Sequence, residues 1–257
     1  KSKYKILVTG GSGMVGSQVT FGIKPNKKDL DITKPISIEK AIKKYEPDVI
    51  LHLAASANML GCEEDKAKAK KINVTGTENT ARACKKHNLK LVYMSTCAIF
   101  DGKKKTPYRE GDTAKPLNVY GKTKLEGEKI AQKILPNVLI VRTGWLFGGN
   151  KTNKKFVQLT LQKFKNGEEV IATSDRIGSS TYILDLLNMI QKLIKDNKTG
   201  IYHVVNSGTA SYADIANEIK KLGNFKQKIK KVLARDIENK KLKRGRNESL
   251  TSSKIKL

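Results

Sequence analysis

Cysteine, aromatic side chains and long apolar runs are all scarce in this chain of 257 residues. Its three cysteines, at positions 62, 84 and 97, lack Cys-x-x-Cys spacing, which argues against a disulfide framework and against a metal centre. No apolar run approaches the roughly 20 residues that cross a membrane, so we expect no membrane partner. A strand pattern begins within a few residues of Lys1, and we therefore expect no signal peptide and a cytoplasmic location.

Acidic residues are also few, because 24 Asp and Glu stand against 51 Lys and Arg, which gives a net charge of +27. The basic residues are mostly lysines spread over the whole chain, and the densest run lies between Lys226 and Lys243. Nucleic-acid-binding proteins usually concentrate arginines and aromatic residues on one element, and this chain does not. We expect no nucleic-acid partner, but a positive field that attracts phosphorylated substrates.

A glycine motif follows the first apolar run. Residues 5–9 are typical of a buried parallel strand, and Gly10-x-x-Gly13-x-x-Gly16 comes directly after them. Glycines at this spacing let the backbone turn tightly and approach a pyrophosphate, and a helix that starts there favours the phosphate charge. The motif therefore predicts a dinucleotide-binding site near the start of the chain.

The stretch between Gly16 and Asp31 is too short for a complete helix and a second strand. A glycine and a proline interrupt it, so we expect a short first helix, or a second strand reduced to about residues 21–23. No acidic residue is clearly placed for a ribose 2′-hydroxyl, whereas Lys27 and Lys28 could meet a 2′-phosphate. We therefore expect NADPH as the cofactor, with NADH as the alternative.

Strand-like and helix-like segments alternate along the rest of the chain. Apolar strand patterns cover residues 48–55, 90–94, 136–142 and 201–205, with helical patterns between them. This alternation predicts an α/β fold, a doubly wound parallel sheet (Rossmann-type) with a smaller C-terminal substrate lobe. Ligands of such sheets lie beyond the carboxyl ends of the strands, where the glycine loop and several strand-end hydroxyls of this chain meet.

Two regions are expected within this fold. Residues 1–148 would form the dinucleotide-binding domain, completed by about 182–205, and residues 149–181 with 206–257 would form the substrate-binding lobe.

A hydroxyl pair and a Tyr-x-x-x-Lys motif indicate the chemistry. Ser95 and Thr96 end a strand, and Tyr120 and Lys124 share one face of a helix because they lie four residues apart. A phenol is a poor acid–base group until a nearby cation favours its phenolate, and Lys124 supplies that cation. Thr96 or Ser95 can hold a carbonyl oxygen while Tyr120 gives it a proton. The arrangement resembles the active site of the short-chain dehydrogenase/reductase superfamily.

Longer strings, spread over nearly the whole chain, carry a closer resemblance. They are Asp31-Ile32-Thr33, Pro47-Asp48-Val49-Ile50, the run 115–128 around Tyr120, Arg142-Thr143-Gly144-Trp145 and Gly200-Ile201-Tyr202-His203. Together they resemble the dTDP-4-dehydrorhamnose reductase family. The resemblance implies an NAD(P)H-dependent reduction of the 4-keto group of a nucleotide sugar, most simply dTDP-4-dehydrorhamnose to dTDP-L-rhamnose.

Site residues follow from the resemblance and from the motifs together. The catalytic set would be Thr96, Tyr120 and Lys124. The residues expected to contact the cofactor are Gly10, Gly13, Met14, Val15, Gly16, Asp31, Ile32, Leu53, Ala54, Ala55, Asn73, Tyr120, Lys124 and Thr143. The residues expected to contact the nucleotide sugar are Ser95, Thr96, Cys97, Trp145, Arg176 and Arg244. His52 lies inside an apolar strand, where a hydrogen-bonded core residue is expected.

Two segments depart from the family pattern. Where the family has Ser-Thr-Asp-Tyr-Val-Phe, this chain has Cys97 and Ala98 in place of the aspartate and the tyrosine. Where the family has Asp-Gln-x-Gly-x-Pro-Thr, Arg176 replaces the amide and Ser180 the proline. We therefore expect reduction, with a weaker or altered preference for the rhamnose precursor.

Two alternatives stay open on the sequence. One is a nucleotide-sugar epimerase or dehydratase, although dehydratases of this superfamily place an Asp-Glu pair where this chain has Cys97 and Ala98. The other is a non-catalytic, NADP-binding subunit resembling the regulatory subunit of methionine adenosyltransferase, against which the intact Thr96, Tyr120 and Lys124 argue. The sequence also leaves a homodimer open.

Overall fold

A five-stranded parallel sheet forms the centre of the computed structural model, which describes residues 4–149 and 155–257. The predicted start at Lys1 and residues 150–154 of the predicted lobe lie outside these ranges. The strands are β1 (Ile6–Thr9), β2 (Val49–His52), β3 (Lys90–Thr96), β4 (Leu139–Thr143), β5 (Leu146–Phe147), β6 (Val170–Thr173), β7 (Ile177–Gly178), β8 (Thr181–Tyr182), β9 (Gly200–His203), β10 (Ala210–Ser211), β11 (Ile229–Val232) and β12 (Asn247–Glu248). The order in the central sheet is β1-β2-β3-β4-β9.

Helices connect these strands. They are α1 (Pro35–Tyr45), α2 (Met59–Glu64), α3 (Lys66–Lys70), α4 (Gly76–Lys86), α5 (Val119–Ile134), α6 (Phe156–Lys165), α7 (Ile183–Lys195), α8 (Tyr212–Leu222) and α9 (Ala234–Ile237), and a π-helical turn, Lys71–Thr75, joins α3 to α4. Within the described ranges, no helix has both the length and the apolar composition that crossing a membrane requires.

Apolar side chains cover both faces of the sheet because successive residues of a strand point to opposite sides. Ile6 and Val8 of β1 join a core that contains the buried face of α7. Leu7, between them, joins a second core with buried residues of α1, α4 and α5. The predicted doubly wound α/β fold, with helices on both faces of a parallel sheet, is confirmed.

The segment after the glycine motif forms a turn rather than an α-helix. A 3-10 turn of only three residues, Gly16–Gln18, follows the motif, and residues 17–30 contain no α-helix. The chain instead returns along β1, where Ile23 forms an isolated parallel bridge with Leu7. The Val8 amide donates to the Ile23 carbonyl at 2.8 Å, and the Ile23 amide donates to the Ile6 carbonyl at 2.8 Å. The expectation of a short first helix or a reduced second strand is confirmed: the helix is a single 3-10 turn and the strand is a single bridge at Ile23.

A separate small core lies outside the central sheet. It joins Phe164 of α6 and Ala213 and Ala216 of α8 to the β6 residues Val170 and Ala172, and β6 pairs in parallel with β11. This core contains elements from both stretches assigned to the substrate lobe. The lobe's boundaries remain a prediction.

A buried ion pair connects α5 to β4. Arg142 Nε donates to Glu128 Oε1 at 3.0 Å and Arg142 Nη2 donates to Glu128 Oε2 at 2.7 Å. The two side chains are 5% and 1% exposed. Because water cannot replace either partner, removing one leaves an unpaired buried charge, which is more costly than losing a surface pair.

We predict that Glu128→Gln lowers the free energy of unfolding by about 3–5 kcal/mol, the cost of leaving a buried charge unpaired. The matched control is Glu126→Gln on the same helix, where Glu126 meets Lys70 only at 3.9 Å and in an exposed position, so about 0–1 kcal/mol is expected. Urea unfolding followed by circular dichroism measures both. Equal, small losses would contradict the structural role given to Glu128.

Candidate active site

The carboxyl ends of β1 to β4 open onto one cleft of about 740 Å³. Residues predicted from separate strands meet there, as expected for the edge at which all parallel strands end. The predicted site residues that line the cleft are Gly10, Gly13, Met14, Val15, Gly16, Leu53, Ala55, Ser95, Thr96, Cys97, Tyr120, Lys124, Thr143, Trp145 and Arg244.

The glycine loop forms one wall of the cleft. Gly10 has a φ of 71°, and a Cβ there would lie 2.7 Å from the Ala54 amide nitrogen. A Cβ on Gly16 would lie 2.2 Å from the Gly10 carbonyl oxygen, whereas a Cβ on Gly13 would meet only that oxygen, at 3.3 Å. Gly10 and Gly16 therefore let the loop pack tightly, and Gly13 leaves open the side on which a phosphate would approach the backbone.

Two buried hydroxyls at the ends of β3 and β4 have no partner. Ser95 Oγ and Thr143 Oγ1 are shielded from water and make no hydrogen bond within the described structure, although both residues line the cleft. Unpartnered buried polar atoms are uncommon in folded proteins and call for an explanation. A ligand rich in hydroxyl and phosphate oxygens would satisfy them, so these residues fit a dinucleotide cofactor.

The start of α5 positions the tyrosine and the lysine. Asn118 caps the helix, because its Oδ1 accepts from the Gly121 amide at 2.8 Å. A Cβ on Gly121 would lie 2.1 Å from the Ala98 carbonyl oxygen, so glycine allows the helix to approach the chain that follows Thr96. Tyr120 and Lys124 consequently share one face of α5, next to the end of β3.

Burial sets the state of the phenol. It raises the pKa of Tyr120 to about 12, although a hydrogen bond with the Thr96 side chain opposes that rise. Thr96 Oγ1 also accepts from the Ala98 amide at 3.2 Å, which fixes its direction. Tyr120 is therefore protonated at neutral pH and can act as a proton donor beside the Thr96 hydroxyl.

The ammonium of Lys124 is buried over an aromatic ring. Its Nζ lies 4.0 Å from the centroid of the Tyr93 ring, and the residue is 3% exposed. Burial lowers the pKa of Lys124 to about 7, and the nearby Glu128 carboxylate opposes this shift. Lys124 therefore changes charge near physiological pH, next to the phenol that it would assist.

A cluster of aromatic and charged side chains forms the opposite end of the cleft. The Trp145 ring stacks on Tyr212, with 4.0 Å between the ring centroids, and Trp145 Nε1 donates to Glu248 Oε2 at 2.7 Å. Arg244 donates to the same carboxylate through Nε at 3.0 Å and Nη2 at 2.6 Å. Burial alone would raise the pKa of Glu248, but the charge of Arg244 keeps it below the ordinary value. The Arg244 guanidinium therefore lines the cleft while it is paired with the Glu248 carboxylate.

Cys97 lies between the catalytic residues and this cluster. The Sγ atom would be 2.9 Å from a Cβ on Gly144, so it fills the space beside that glycine. Burial, followed by the charge of Glu248, raises the pKa of Cys97 to about 12. Cys97 is therefore a small, buried side chain in an environment that disfavours its reactive thiolate form.

Two residues expected to contact the cofactor lie away from the cleft. Asp31 lines a separate groove with Lys27 and Lys28, and its Oδ1 accepts from the amide and the hydroxyl of Thr33 at 3.0 and 2.8 Å. Ile32 is buried against Gly76, where its Cδ1 would lie 2.6 Å from an added Cβ. Neither residue lines the cleft beside the glycine loop.

Three further predicted residues lie behind or beside the cleft. The Ala54 backbone lies directly against Gly10, where an added Cβ would be 2.7 Å from the Ala54 nitrogen. Asn73, in the π-helical turn, accepts from the Ser56 amide at 2.8 Å and donates to Thr123 Oγ1 at 3.0 Å, so it braces the loop after β2 against α5. Arg176 pairs with Glu238 and donates to the Gly245 carbonyl. It faces an adjoining cavity that shares Tyr212 and Arg244 with the cleft.

His52 is a satisfied core residue, as predicted. Its Nδ1 lies 2.7 Å from Thr9 Oγ1 and its Nε2 lies 3.2 Å from Thr77 Oγ1. Burial, followed by the charge of Lys124, lowers the pKa of His52 to about 3. The ring is neutral at physiological pH and joins β2 to β1 and α4.

Several cleft residues were missed by sequence reasoning. They are Asn58, Met59, Leu60, Phe156, Tyr212, Leu242 and Glu248. Glu248 follows Arg244 at a spacing of four, but this spacing signals an ion pair only on a helix, and the two residues lie outside any helix. The others carry no motif and reach the cleft only through tertiary packing.

The glycine loop, the strand-end Thr96 and the paired Tyr120 and Lys124 on a doubly wound sheet define a short-chain dehydrogenase/reductase type of protein. Comparisons with known proteins narrow this class. The family model described as "RmlD substrate binding domain" matches residues 4–257. The chain belongs to that family, and the predicted resemblance to the dTDP-4-dehydrorhamnose reductases is confirmed.

Individual relatives are similar over most of the chain. The spore coat polysaccharide biosynthesis protein SpsK of Bacillus subtilis is 33% identical over 244 residues, which is 92% of this chain and 85% of SpsK. The dTDP-4-dehydrorhamnose reductase of Aggregatibacter actinomycetemcomitans is 33% identical over 227 residues, 82% of this chain and 76% of that protein. A crystal structure of dTDP-4-dehydrorhamnose reductase from Bacillus anthracis in complex with NADP has a TM-score of 0.91 at 31% identity. It covers 97% of this chain and 90% of that chain.

We predict that Lys124→Met stabilises the protein, and more so at low pH. The pKa of Lys124 is about 7 in the fold and 10.5 for an ordinary lysine. Between these two values the unfolded chain binds a proton that the folded chain lacks. The stability of the unmodified protein therefore rises with pH across this window, as the buried charge is lost. The gain from methionine should be largest near about pH 6 and smaller near about pH 9.5, in urea unfolding at both values.

The control for this experiment is Lys122→Met, an exposed lysine on the same helix. This substitution also removes one lysine charge, but the charge is exposed to water. Its effect on the free energy of unfolding should therefore be small at both pH values. A gain from Lys124→Met that does not change with pH would contradict the buried ammonium.

Proposed function

We propose that this chain is an NADPH-dependent reductase of the 4-keto group of a nucleotide sugar, with dTDP-4-dehydrorhamnose as the preferred candidate and dTDP-L-rhamnose as its product. The observation that carries the proposal is the meeting of Thr96, Tyr120 and Lys124 beside the glycine loop in one cleft. The NADP-bound relative and the relatives named as dTDP-4-dehydrorhamnose reductases support the choice of cofactor and substrate.

The cofactor would lie along the glycine loop and the strand ends. Gly10, Gly13 and Gly16 would meet its phosphates, and the unpartnered hydroxyls of Ser95 and Thr143 would take part in holding it. When bound, NADPH supplies the hydride for the carbonyl carbon.

The chain's own side chains handle the proton. Thr96 Oγ1 would donate to the substrate's carbonyl oxygen and hold it beside Tyr120. The Tyr120 phenol, protonated at neutral pH, would transfer its proton to that oxygen as negative charge develops there. Lys124 in its charged form would stabilise the phenolate left behind, since an opposite charge nearby favours the ionised form.

The sugar would lie against the stacked Trp145 and Tyr212 rings. Glu248 carries a carboxylate close to Cys97, in a chain where the family's aspartate at that position is missing. The ion pair with Arg244 and the hydrogen bond from Trp145 hold this carboxylate in place. We propose that Glu248 and Trp145 recognise the sugar, and that Arg244 is primarily the partner of Glu248 and secondarily a diphosphate ligand.

No observation favours the epimerase, dehydratase or regulatory-subunit alternatives. We also propose that the protein is cytoplasmic and has no nucleic-acid partner. A homodimer stays open. The free, buried state of Cys62, Cys84 and Cys97 supports a reducing compartment.

We predict that Tyr120→Phe lowers kcat by about 10²–10⁴-fold, the usual loss when a positioned acid is removed, while NADPH still binds. The matched control is Tyr202→Phe on β9, outside the cleft, which should keep normal turnover. Stopped-flow or steady-state assays with dTDP-4-dehydrorhamnose measure both variants. Near-normal turnover by Tyr120→Phe would refute the assigned role.

We predict that Gly13→Asp weakens NADPH binding by about fivefold or more, because two like charges a few ångströms apart repel by at least about 1 kcal/mol. Gly111→Asp makes the same charge change where a Cβ meets nothing within 4 Å, and should leave the affinity unchanged. Isothermal titration with NADPH compares the two, and circular dichroism checks that both are folded. Equal affinities would contradict the placement of the phosphates.

A further inference from the structure

The catalytic tyrosine lies in the first turn of α5, where the backbone amides need partners from outside the helix. The first amides of an α-helix have no carbonyl within the helix to bind. Asn118 supplies one acceptor, because its Oδ1 accepts from the Gly121 amide at 2.8 Å. The amide of Val119, the first residue of the helix, binds a side chain of another helix. Its acceptor is Glu63 Oε1 of α2, at 2.7 Å.

The hydrogen bond to Glu63 is short because its acceptor is charged. A carboxylate that accepts from an amide forms a charge-assisted hydrogen bond, and 2.7 Å lies in the range of such bonds. The carboxylate also meets the N-terminus of a helix of 16 residues, where the helix dipole favours negative charge. Glu63 is half-buried, so water competes with the Val119 amide only in part. Both effects hold Glu63 against the start of α5.

Tyr120 lies between the two amides that are held in this way. Val119 before it donates to Glu63, and Gly121 after it donates to Asn118. Gly121 also packs against the chain that follows Thr96, as described above. The backbone that carries the phenol therefore has a fixed neighbour on either side, and one of the two is fixed by a residue of a separate helix.

The helix that carries Glu63 also reaches the cleft. Asn58, Met59 and Leu60, at the start of α2, line it. The loop before α2 has its own attachment to α5, through Asn73, which binds the Ser56 amide and the Thr123 hydroxyl. Loss of the Glu63 side chain would therefore leave this loop attached to α5 and release only the first turn of α5.

We propose that Glu63 is a positioning residue for the reduction, which holds the first turn of α5 so that the Tyr120 phenol is aligned with Thr96. The inference rests on the proposed reductase function and adds a residue outside the catalytic set. A displacement of about 1 Å at a reacting group can lower the rate by about 10²-fold. Glu63 should therefore affect kcat, whereas the contacts that bind the substrate and the cofactor do not include it.

The experiment compares three substitutions on α2 in the purified full chain, with circular dichroism to check that each variant is folded. Glu63→Leu removes the acceptor, and Glu63→Gln keeps an oxygen that can accept from the Val119 amide. Glu64→Leu is the matched control, because it removes the neighbouring, exposed carboxylate. With dTDP-4-dehydrorhamnose, Glu63→Leu should lower kcat by about 10- to 100-fold and leave KM and the affinity for NADPH unchanged. Glu63→Gln should restore most of the loss, and Glu64→Leu should behave as the wild type.

A second measurement observes the phenol without turnover. The chain has eight tyrosines, and NMR of protein labelled with ¹³C in the tyrosine rings records them together. The Tyr120→Phe variant identifies the signal of Tyr120 as the one that disappears. Glu63→Leu should shift or broaden this signal, and Glu63→Gln and Glu64→Leu should leave it in place.

Three results would overturn the proposal. In the first, Glu63→Leu lowers the free energy of unfolding but keeps a normal kcat, so that Glu63 only stabilises the helix. In the second, Glu63→Gln loses as much kcat as Glu63→Leu, and in the third the Glu64→Leu control does. If the wild type reduces no keto sugar, the proposed function fails and the Tyr120 signal decides the role of Glu63. A changed signal in Glu63→Leu then supports the placement, and an unchanged signal refutes it.

Discussion

A lysine amine held away from water is the constraint on which the catalytic end of this protein depends. Lys124 has the face of Tyr93 beneath it and Glu128 one helical turn further along α5. The Glu128 carboxylate is in turn occupied by Arg142 of β4. The helix that carries the phenol is thereby tied to two neighbouring strands, and it cannot shift without unpairing a charge in a region that water does not reach. The contacts that fix the position of Tyr120 on α5 are therefore the same ones that keep Lys124 in the protein interior.

The parallel sheet and the catalytic residues could be predicted because their signals are local. The apolar strand runs, the glycine spacing and the i, i+4 relation of Tyr120 and Lys124 each lie within a few residues, and the fold places all strand ends at one edge. The prediction for His52 also succeeded, since a polar residue inside an apolar strand is usually hydrogen-bonded in the core. The family resemblance, carried by strings around Tyr120 and Trp145, was confirmed for the same reason.

Other features depend on distant parts of the chain and could not be read from the sequence. The reduction of the second strand to about residues 21–23 was expected and is confirmed, but the absence of an α-helix from residues 17–30 was not, because it depends on the pairing of Ile23 with β1. Arg244 was expected to contact the nucleotide sugar, which stays a prediction, and its contacts with Glu248 and Tyr212 could not be read from the sequence because only folding brings Tyr212 there. Asn73 holds the loop after β2 because the π-helical turn points its amide toward Ser56 and Thr123, which lie 17 and 50 residues away in the chain; its contact with the cofactor stays a prediction.

Trp145 has a consequence beyond packing. It is the chain's single tryptophan, it lines the cleft, and its backbone has a φ of 42°, which is uncommon for a large side chain. Its ring is fixed by the stack on Tyr212 and the hydrogen bond to Glu248, and there is space for it because Gly178 has no side chain. The emission of an indole depends on the polarity and contacts of its surroundings. The protein therefore contains an intrinsic optical probe at the far end of the cleft, which reports from one known position without any attached label.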